Sequence, residues 1–423
     1  MAGRGAGRWG YSRGVTDRRR WRARALATCA AVAVGGVLAG CTQGPAGSVA
    51  SSGGGTAPAS LAASAAPSDP PTLSSPAAAC VNQVYGKLTL AQLVGQLFLV
   101  GVDGDTVGPD LTAGESAYHF GSLLLNASTA GTSALATQTA AMQALAPSAT
   151  GGVGFFIAAN QEGGEIQQLT GPGFEAMPSE LVQGSWTTSA LRAAAADWGS
   201  ELKAAGVNLD LAPVMDVVPY GTQAQNAPIG ALDREYGFDP TTNGEHGAAF
   251  IAGMASAGVA TVAKHFPGLG RVTGNTDFTS NVVDNVTTPD DPYLGSFRYA
   301  IRAGVPFVMV ALATYTKIDP STLAVFSPVV MKLLRNELGF GGVIVSDDLG
   351  EAAAVQSIPA GTRAIDFLSA GGDLITSQTL PPAEQMAGAV LSQASSSASF
   401  RATVDAAARQ VLTAKQAAGL LPC

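Results

Sequence analysis

Hydrophobic positions along the chain gather in short continuous runs, separated by longer stretches in which they recur at helical spacing. Eight runs read as strands: residues 97–102, 121–125, 153–159, 207–214, 259–266, 306–313, 342–346 and 373–376. They are apolar at nearly every position instead of alternating, the mark of strands buried on both faces and hence of parallel sheets. Between them, residues 189–205, 291–303 and 328–338 carry apolar side chains at helical intervals. Eight strand–helix alternations predict an α/β fold, a single-domain (β/α)8 TIM barrel over residues 80–423. A doubly wound open sheet is the alternative that the pattern leaves open. Residues 381–421 are Ala-rich and helical, and are expected to pack on the outside of the barrel.

Two segments fall outside this pattern. Residues 42–79 are mostly Ser, Ala, Gly, Pro and Thr, with too little apolar surface to fold, and are expected to form a flexible tether. Before them, Arg18, Arg19, Arg20, Arg22 and Arg24 precede an apolar run that closes on Leu38-Ala39-Gly40-Cys41. A basic region, a short apolar stretch and small residues predict a secretory signal over residues 1–40. The run, residues 25–40, is shorter than the roughly 20 residues that span a bilayer. Leu-Ala-Gly-Cys resembles a bacterial lipoprotein box. The resemblance implies that Cys41 is lipidated and that the chain is exported and anchored on the outer face of the cytoplasmic membrane. An ordinary signal peptide with an incidental cysteine is the other reading, and the arginine cluster leaves twin-arginine export open.

Composition narrows the function classes. Hydrophobic residues make up 47% and charged residues 13% of 423, enough for a large core beneath a sparsely charged surface. The formal charge is −8; removing residues 1–40, with eight arginines and one acid, leaves 15 basic against 30 acidic residues, or −15. No cationic cluster remains to contact phosphates, so a nucleic-acid partner is not expected. Of the four cysteines, Cys29 lies in the leader and Cys41 at its end. That leaves Cys80 and Cys423, which are predicted to pair as a disulfide in an oxidising compartment. Three scattered histidines and no cysteine cluster predict no metal site.

The chemistry concentrates at strand ends. After the apolar run 259–263 come Lys264-His265-Phe266-Pro267-Gly268-Leu269-Gly270-Arg271-Val272, running on through Asn275-Thr276-Asp277. This is a strand that delivers a cation and an imidazole at its tip and then turns through Pro and Gly, at the end of the strand where barrels place active sites. Lys264-His265-Phe266-Pro267-Gly268-x-Gly resembles the signature loop of family 3 glycoside hydrolases, in the single-domain β-N-acetylhexosaminidase branch. Gly342-Val343-Ile344-Val345-Ser346-Asp347-Asp348-Leu349 resembles the strand whose first aspartate is that family's nucleophile. The resemblance implies a glycosidase acting with retention on a carbohydrate, first of all a β-linked N-acetylhexosamine of cell-wall origin, and needing no cofactor.

Carried over residue by residue, the resemblance makes Asp347 the nucleophile, Lys264 and His265 substrate binders, and Arg234 (in Asp233-Arg234-Glu235-Tyr236-Gly237) a sugar-binding arginine. Asn160, at the head of Asn160-Gln161-Glu162-Gly163-Gly164, would bond sugar hydroxyls. Asn160, Glu165 and Gln168 stand where an aspartate and two arginines are usual. The fourth strand supplies Asp210, expected in a satisfied interior network, and Asp216, expected to support the site. Asp348 should hold a structural hydrogen bond, because neighbours on a strand face opposite ways.

The proton donor is where this sequence departs. The branch carries Asp-Ser-His in the signature loop, and Asn275-Thr276-Asp277 stands in its place. A retaining glycosidase needs one ionised carboxylate and a second group that donates and then takes a proton. Asp277 is thus the expected acid/base, with Asn275 orienting it. The departures leave two other readings open, a glycan-binding lipoprotein that has lost turnover and a β-glucosidase-like specificity.

Overall fold

The computed structural model describes residues 75–102 and 117–423. The expected signal over 1–40, the expected lipidation at Cys41 and the expected tether as far as residue 74 lie outside the described residues. Eight strands close into an all-parallel barrel in which each pairs with its neighbours in sequence. They are β1 Phe98–Val102, β2 Ser122–Leu125, β3 Phe156–Ala159, β4 Leu209–Asp210, β5 Ala260–Phe266, β6 Phe307–Val310, β7 Val343–Asp348 and β8 Leu374–Ser377. Pairing of Phe98 with Ile375 joins β1 to β8 and completes the ring. This excludes the open sheet. In β1, β2, β3, β6 and β8 every residue is buried, as expected for strands covered on both faces.

Helices form the outer layer, and their starts are written locally in the sequence. The α-helices of five residues or more are α1 Ser75–Tyr85, α2 Leu90–Gly95, α3 Thr132–Gln143, α4 Thr188–Ala204, α5 Pro240–Ser256, α6 Gly295–Arg302, α7 Pro328–Lys332, α8 Ala360–Ala370, α9 Leu380–Ser396 and α10 Ala398–Ala417. Thr89 and Gln92 form a reciprocal capping box on α2, and Thr187, Ser327 and Ser397 each accept a backbone N–H at the start of α4, α7 and α10. Asp239 caps α5 with Pro240 in the first turn, where a missing N–H costs nothing.

Several expected boundaries shift. Residues 75–79, expected in the tether, lie in α1, which packs against α10. The run 207–214 is regular only at Leu209–Asp210, since Pro213 has no N–H for a ladder and the strand resumes as a single bridge from Val214 to Lys264. The helix expected over 328–338 is α-helical to Lys332 and then wider, with π geometry over Leu333–Glu337. The helix expected over 291–303 opens as a 3₁₀ turn, Pro292–Leu294, before α6. The Ala-rich tail is two helices, α9 and α10, broken at Ser397.

The barrel is filled, not hollow. Phe156 of β3 and Phe307 of β6 meet edge to face with ring centroids 5.3 Å apart, a contact that crosses the interior because the two strands are not neighbours. Below, the buried Lys415 of α10 donates to Gln96 Oε1 and to the carbonyls of Gly121 and Gly154, which precede β1, β2 and β3. Cys80 and Cys423 are joined, with Cα atoms 6.0 Å apart. The lower end is thereby sealed and the upper end is left for chemistry.

Candidate active site

The carboxyl ends of β3, β5 and β7 converge on a cavity of about 180 Å³. Asn160, Arg234, Lys264, His265, Asn275, Asp277 and Asp347 all line it, so the structure gathers these expected site residues in one place. Asp216 stands just behind them. Its Oδ2 meets His265 Nδ1 at 2.7 Å, and its Oδ1 accepts the backbone N–H groups of His265 and Leu269 at 3.1 and 2.8 Å. One buried carboxylate thus fixes both the imidazole and the turn of the signature loop. That turn passes so close to the loop after β4 that a Cβ on Gly270 would stand 1.9 Å from the Val217 carbonyl oxygen.

The group that organises the floor is Glu162, which the sequence reading quoted within Gln161-Glu162-Gly163-Gly164 but did not assign. Residues Gln161–Gly163 turn back on Ile166–Gln167 as a short antiparallel hairpin, which carries Glu162 over the end of β3. Arg234 grips it bidentately, Nε to Oε2 at 2.7 Å and Nη2 to Oε1 at 2.9 Å. Lys264 Nζ lies 2.5 Å from Oε1, and donates also to Asn160 Oδ1 at 2.9 Å. Burial opposes a charge on Glu162, but Arg234 and then Lys264 outweigh it and hold the carboxyl below its usual range. The sequence signals only the need: Lys264, directly after a buried run, demands a counter-ion, but nothing in the sequence says which acid supplies it.

Behind this floor burial pushes the acids toward their neutral form. Burial raises Glu180 well above the carboxylate range, with Glu162 adding to the effect, and burial does the same to Asp210. Asp210 Oδ1 accepts the Gln161 N–H at 3.0 Å, but its Oδ2 meets no protein partner among the described residues, so its expected network is only half satisfied. Glu235, fully buried beside Arg234, has neither oxygen paired with a described protein group and is pushed up to about 7, chiefly by burial.

The two expected catalytic carboxyls differ in setting. Asp347, next to last in β7, is half-buried, and its Oδ1 accepts the N–H of Asp348 at 2.8 Å. Asp348 turns to the backbone, taking N–H groups from Gly350, Glu351 and Gln378 at 2.9–3.0 Å, the structural role expected of it. Burial lifts it to about 6 against those three donors. Asp277 is held from above by its carbonyl, which accepts the Ala353 N–H after β7, while Thr276 binds Ala354 in the same way. Asn275 Oδ1 accepts the backbone N–H of Asp277 at 2.9 Å, so it orients the peptide and not the carboxyl. The Asp277 carboxyl is raised, first by desolvation among these loops and then by the like charge of Asp347, with His265, Arg234 and Lys264 pulling the other way. The residue is exposed at the rim, so solvent weakens both causes together.

His119 and His246 take no part. His119 Nδ1 meets the Ala149 carbonyl at 2.6 Å, and His246 lies between the carbonyls of Thr242 and Trp186. The sequence profile described as "Glycosyl hydrolase family 3 N terminal domain" matches residues 89–414. The chain belongs to this family. A beta-hexosaminidase of Stenotrophomonas maltophilia (strain K279a) is 32% identical over 229 residues, covering 52% of this chain and 65% of that protein. The match therefore spans just under two thirds of that relative's length. A beta-hexosaminidase of Xanthomonas oryzae pv. oryzae is 31% identical over 57% of this chain and 71% of its own. Among solved structures, a beta-N-acetylhexosaminidase from Beutenbergia cavernae is 46% identical with a TM-score of 0.76, covering 78% of this chain and 99% of that one. A family 3 beta-N-acetylglucosaminidase from Paenibacillus is 28% identical with a TM-score of 0.69, over 78% and 63% of the two chains.

Proposed function

We propose that this family 3 protein is a retaining β-glycosidase of the N-acetylhexosaminidase type, with Asp347 as nucleophile and Asp277 as acid/base. The observation that carries the reading is that these two carboxyls line one cavity, where burial and the like charge of Asp347 both favour a proton on Asp277. In the first half-reaction Asp347 attacks the anomeric carbon as the Asp277 proton passes to the departing glycosidic oxygen. A glycosyl ester on Asp347 results, and the leaving sugar departs as an alcohol. Asp277, now a carboxylate, then takes a proton from water, which attacks the same carbon and frees Asp347 with net retention. Lys264, Arg234 and Asn160 hold the glycone, and His265, fixed by Asp216, contacts it from the β5 side.

The test is hydrolysis of aryl β-glycosides, N-acetylglucosaminide and glucoside included, by wild type, Asp347→Asn and Asp277→Asn. Loss of turnover in both variants, with azide restoring Asp277→Asn on substrates with good leaving groups, is the expected outcome and would name the sugar. Binding of glycosides without turnover by the wild type would replace the enzyme by a glycan-binding protein. We also infer export and lipid anchoring at Cys41, on the strength of the basic leader and Leu38-Ala39-Gly40-Cys41. Wild-type protein should take up labelled palmitate and sediment with membranes, and Cys41→Ala should do neither; equal labelling of both would refute the anchor.

A further inference from the structure

Two side-chain amides on the β3 side of the cavity are turned so that only N–H groups face it. The ammonium of Lys264 has donors and no acceptor, so the atom it meets on Asn160 at 2.9 Å is Oδ1. The backbone N–H of Asn160 likewise holds Gln168 Oε1 toward itself, at 3.3 Å. Both residues line the cavity, both are half-buried, and neither NH₂ meets a protein acceptor among the described residues. Glu162 beside them is fully buried, with both its oxygens turned to Lys264 and Arg234. This wall presents donors alone. An aspartate at position 160 would have kept one oxygen on Lys264 and turned the other into the cavity.

We propose that this wall selects a glycone whose facing edge carries an acceptor-only oxygen (an ether, carbonyl or carboxylate) in place of a free hydroxyl, so that O-substituted hexosamines are preferred. The proposal rests on the hexosaminidase reading above and names the substrate class within it. A free hydroxyl can accept from the amides, but its own O–H then meets only donors and loses the partner it had in water. An ether or carbonyl oxygen carries no such proton.

The experiment compares 4-nitrophenyl N-acetyl-β-glucosaminide with its 3-O-, 4-O- and 6-O-methyl ethers, on wild type and Asn160→Asp. The two side chains are isosteric, so the fit of each methyl group is common to both proteins and cancels in the ratio of preferences. At one ring position the preference for ether over hydroxyl in kcat/KM should fall about tenfold from wild type to Asn160→Asp, the size expected for one buried unpaired donor. A change below about threefold at every position would overturn the proposal. Gln168→Glu gives the same comparison should Asn160→Asp fail to fold. If wild type turns over no glycoside, the hexosaminidase reading fails, and calorimetric binding of the matching thioglycosides tests the wall by itself with the same thresholds.

Discussion

In the proposed cycle a carboxyl does the work that the resembled branch gives to an imidazole, and this choice governs the pH profile. Turnover needs a proton on Asp277, so activity falls on the basic side as Asp277 loses it. An unperturbed aspartate titrates near 3.9, which would leave almost no donor at neutral pH. The raised setting of Asp277 moves the basic limb upward, and the Asp347 charge is one of its two causes. Replacing Asp347 by Asn removes that charge and leaves the desolvation. The Asp277 carboxyl, followed by NMR titration, should therefore titrate at lower pH in Asp347→Asn than in wild type. An unchanged or higher midpoint would mean that the two groups do not sense one another, and the acid/base assignment would fall with it.

At the scale of elements, the hairpin after β3 acts as a clasp between strands. Glu162 joins it to Lys264 of β5 and to Arg234 on the loop after β4, all three largely removed from solvent. Removing one partner of a buried ionic cluster leaves the others uncompensated, typically at about 3–5 kcal/mol. Glu162→Gln should lose stability on that scale in urea denaturation and should raise KM, since Lys264 and Arg234 are then free to shift. A variant as stable as wild type would make the clasp ornamental. Much of this was legible beforehand. All eight strands announce themselves as apolar runs, and Lys264, His265 and Asp347 stand out because polar residues directly after such runs must emerge at strand ends. Glu162 was not legible. It sits in a Gln-Glu-Gly-Gly stretch that reads as an ordinary turn, and its partners are 72 and 102 positions away in sequence, brought close only by closure of the barrel. Nor could the role of Asn275 be read, because a side-chain amide two residues before an aspartate serves a peptide N–H as readily as a carboxyl.

At the scale of the molecule, chemistry and closure occupy opposite ends of the barrel. The site hangs on residues after the carboxyl ends of strands. The seam between chain ends hangs on residues before their amino ends: Lys415 on the carbonyls of Gly121 and Gly154, and the Gly154 N–H on the Leu420 carbonyl. Arg409 of α10 adds a bond to Asn82 Oδ1 at 2.7 Å and lies 3.7 Å over the Tyr85 ring of α1. The Cys80–Cys423 bridge spans a separation of 343 residues and ties this seam. A cross-link closing so long a loop restricts the unfolded chain strongly, and loss of a native bridge costs about 2–5 kcal/mol. Cys80→Ser with Cys423→Ser should therefore lower the melting temperature, as should reductant on the wild type, while reductant leaves the double variant unmoved. Turnover well below the melting transition should keep its KM and kcat, because these bonds of the seam lie before the amino ends of the strands and the cavity lies at their carboxyl ends. A KM that rose together with the loss of stability would show instead that the floor of the barrel transmits strain to its mouth, and the separation of the two ends would have to be abandoned.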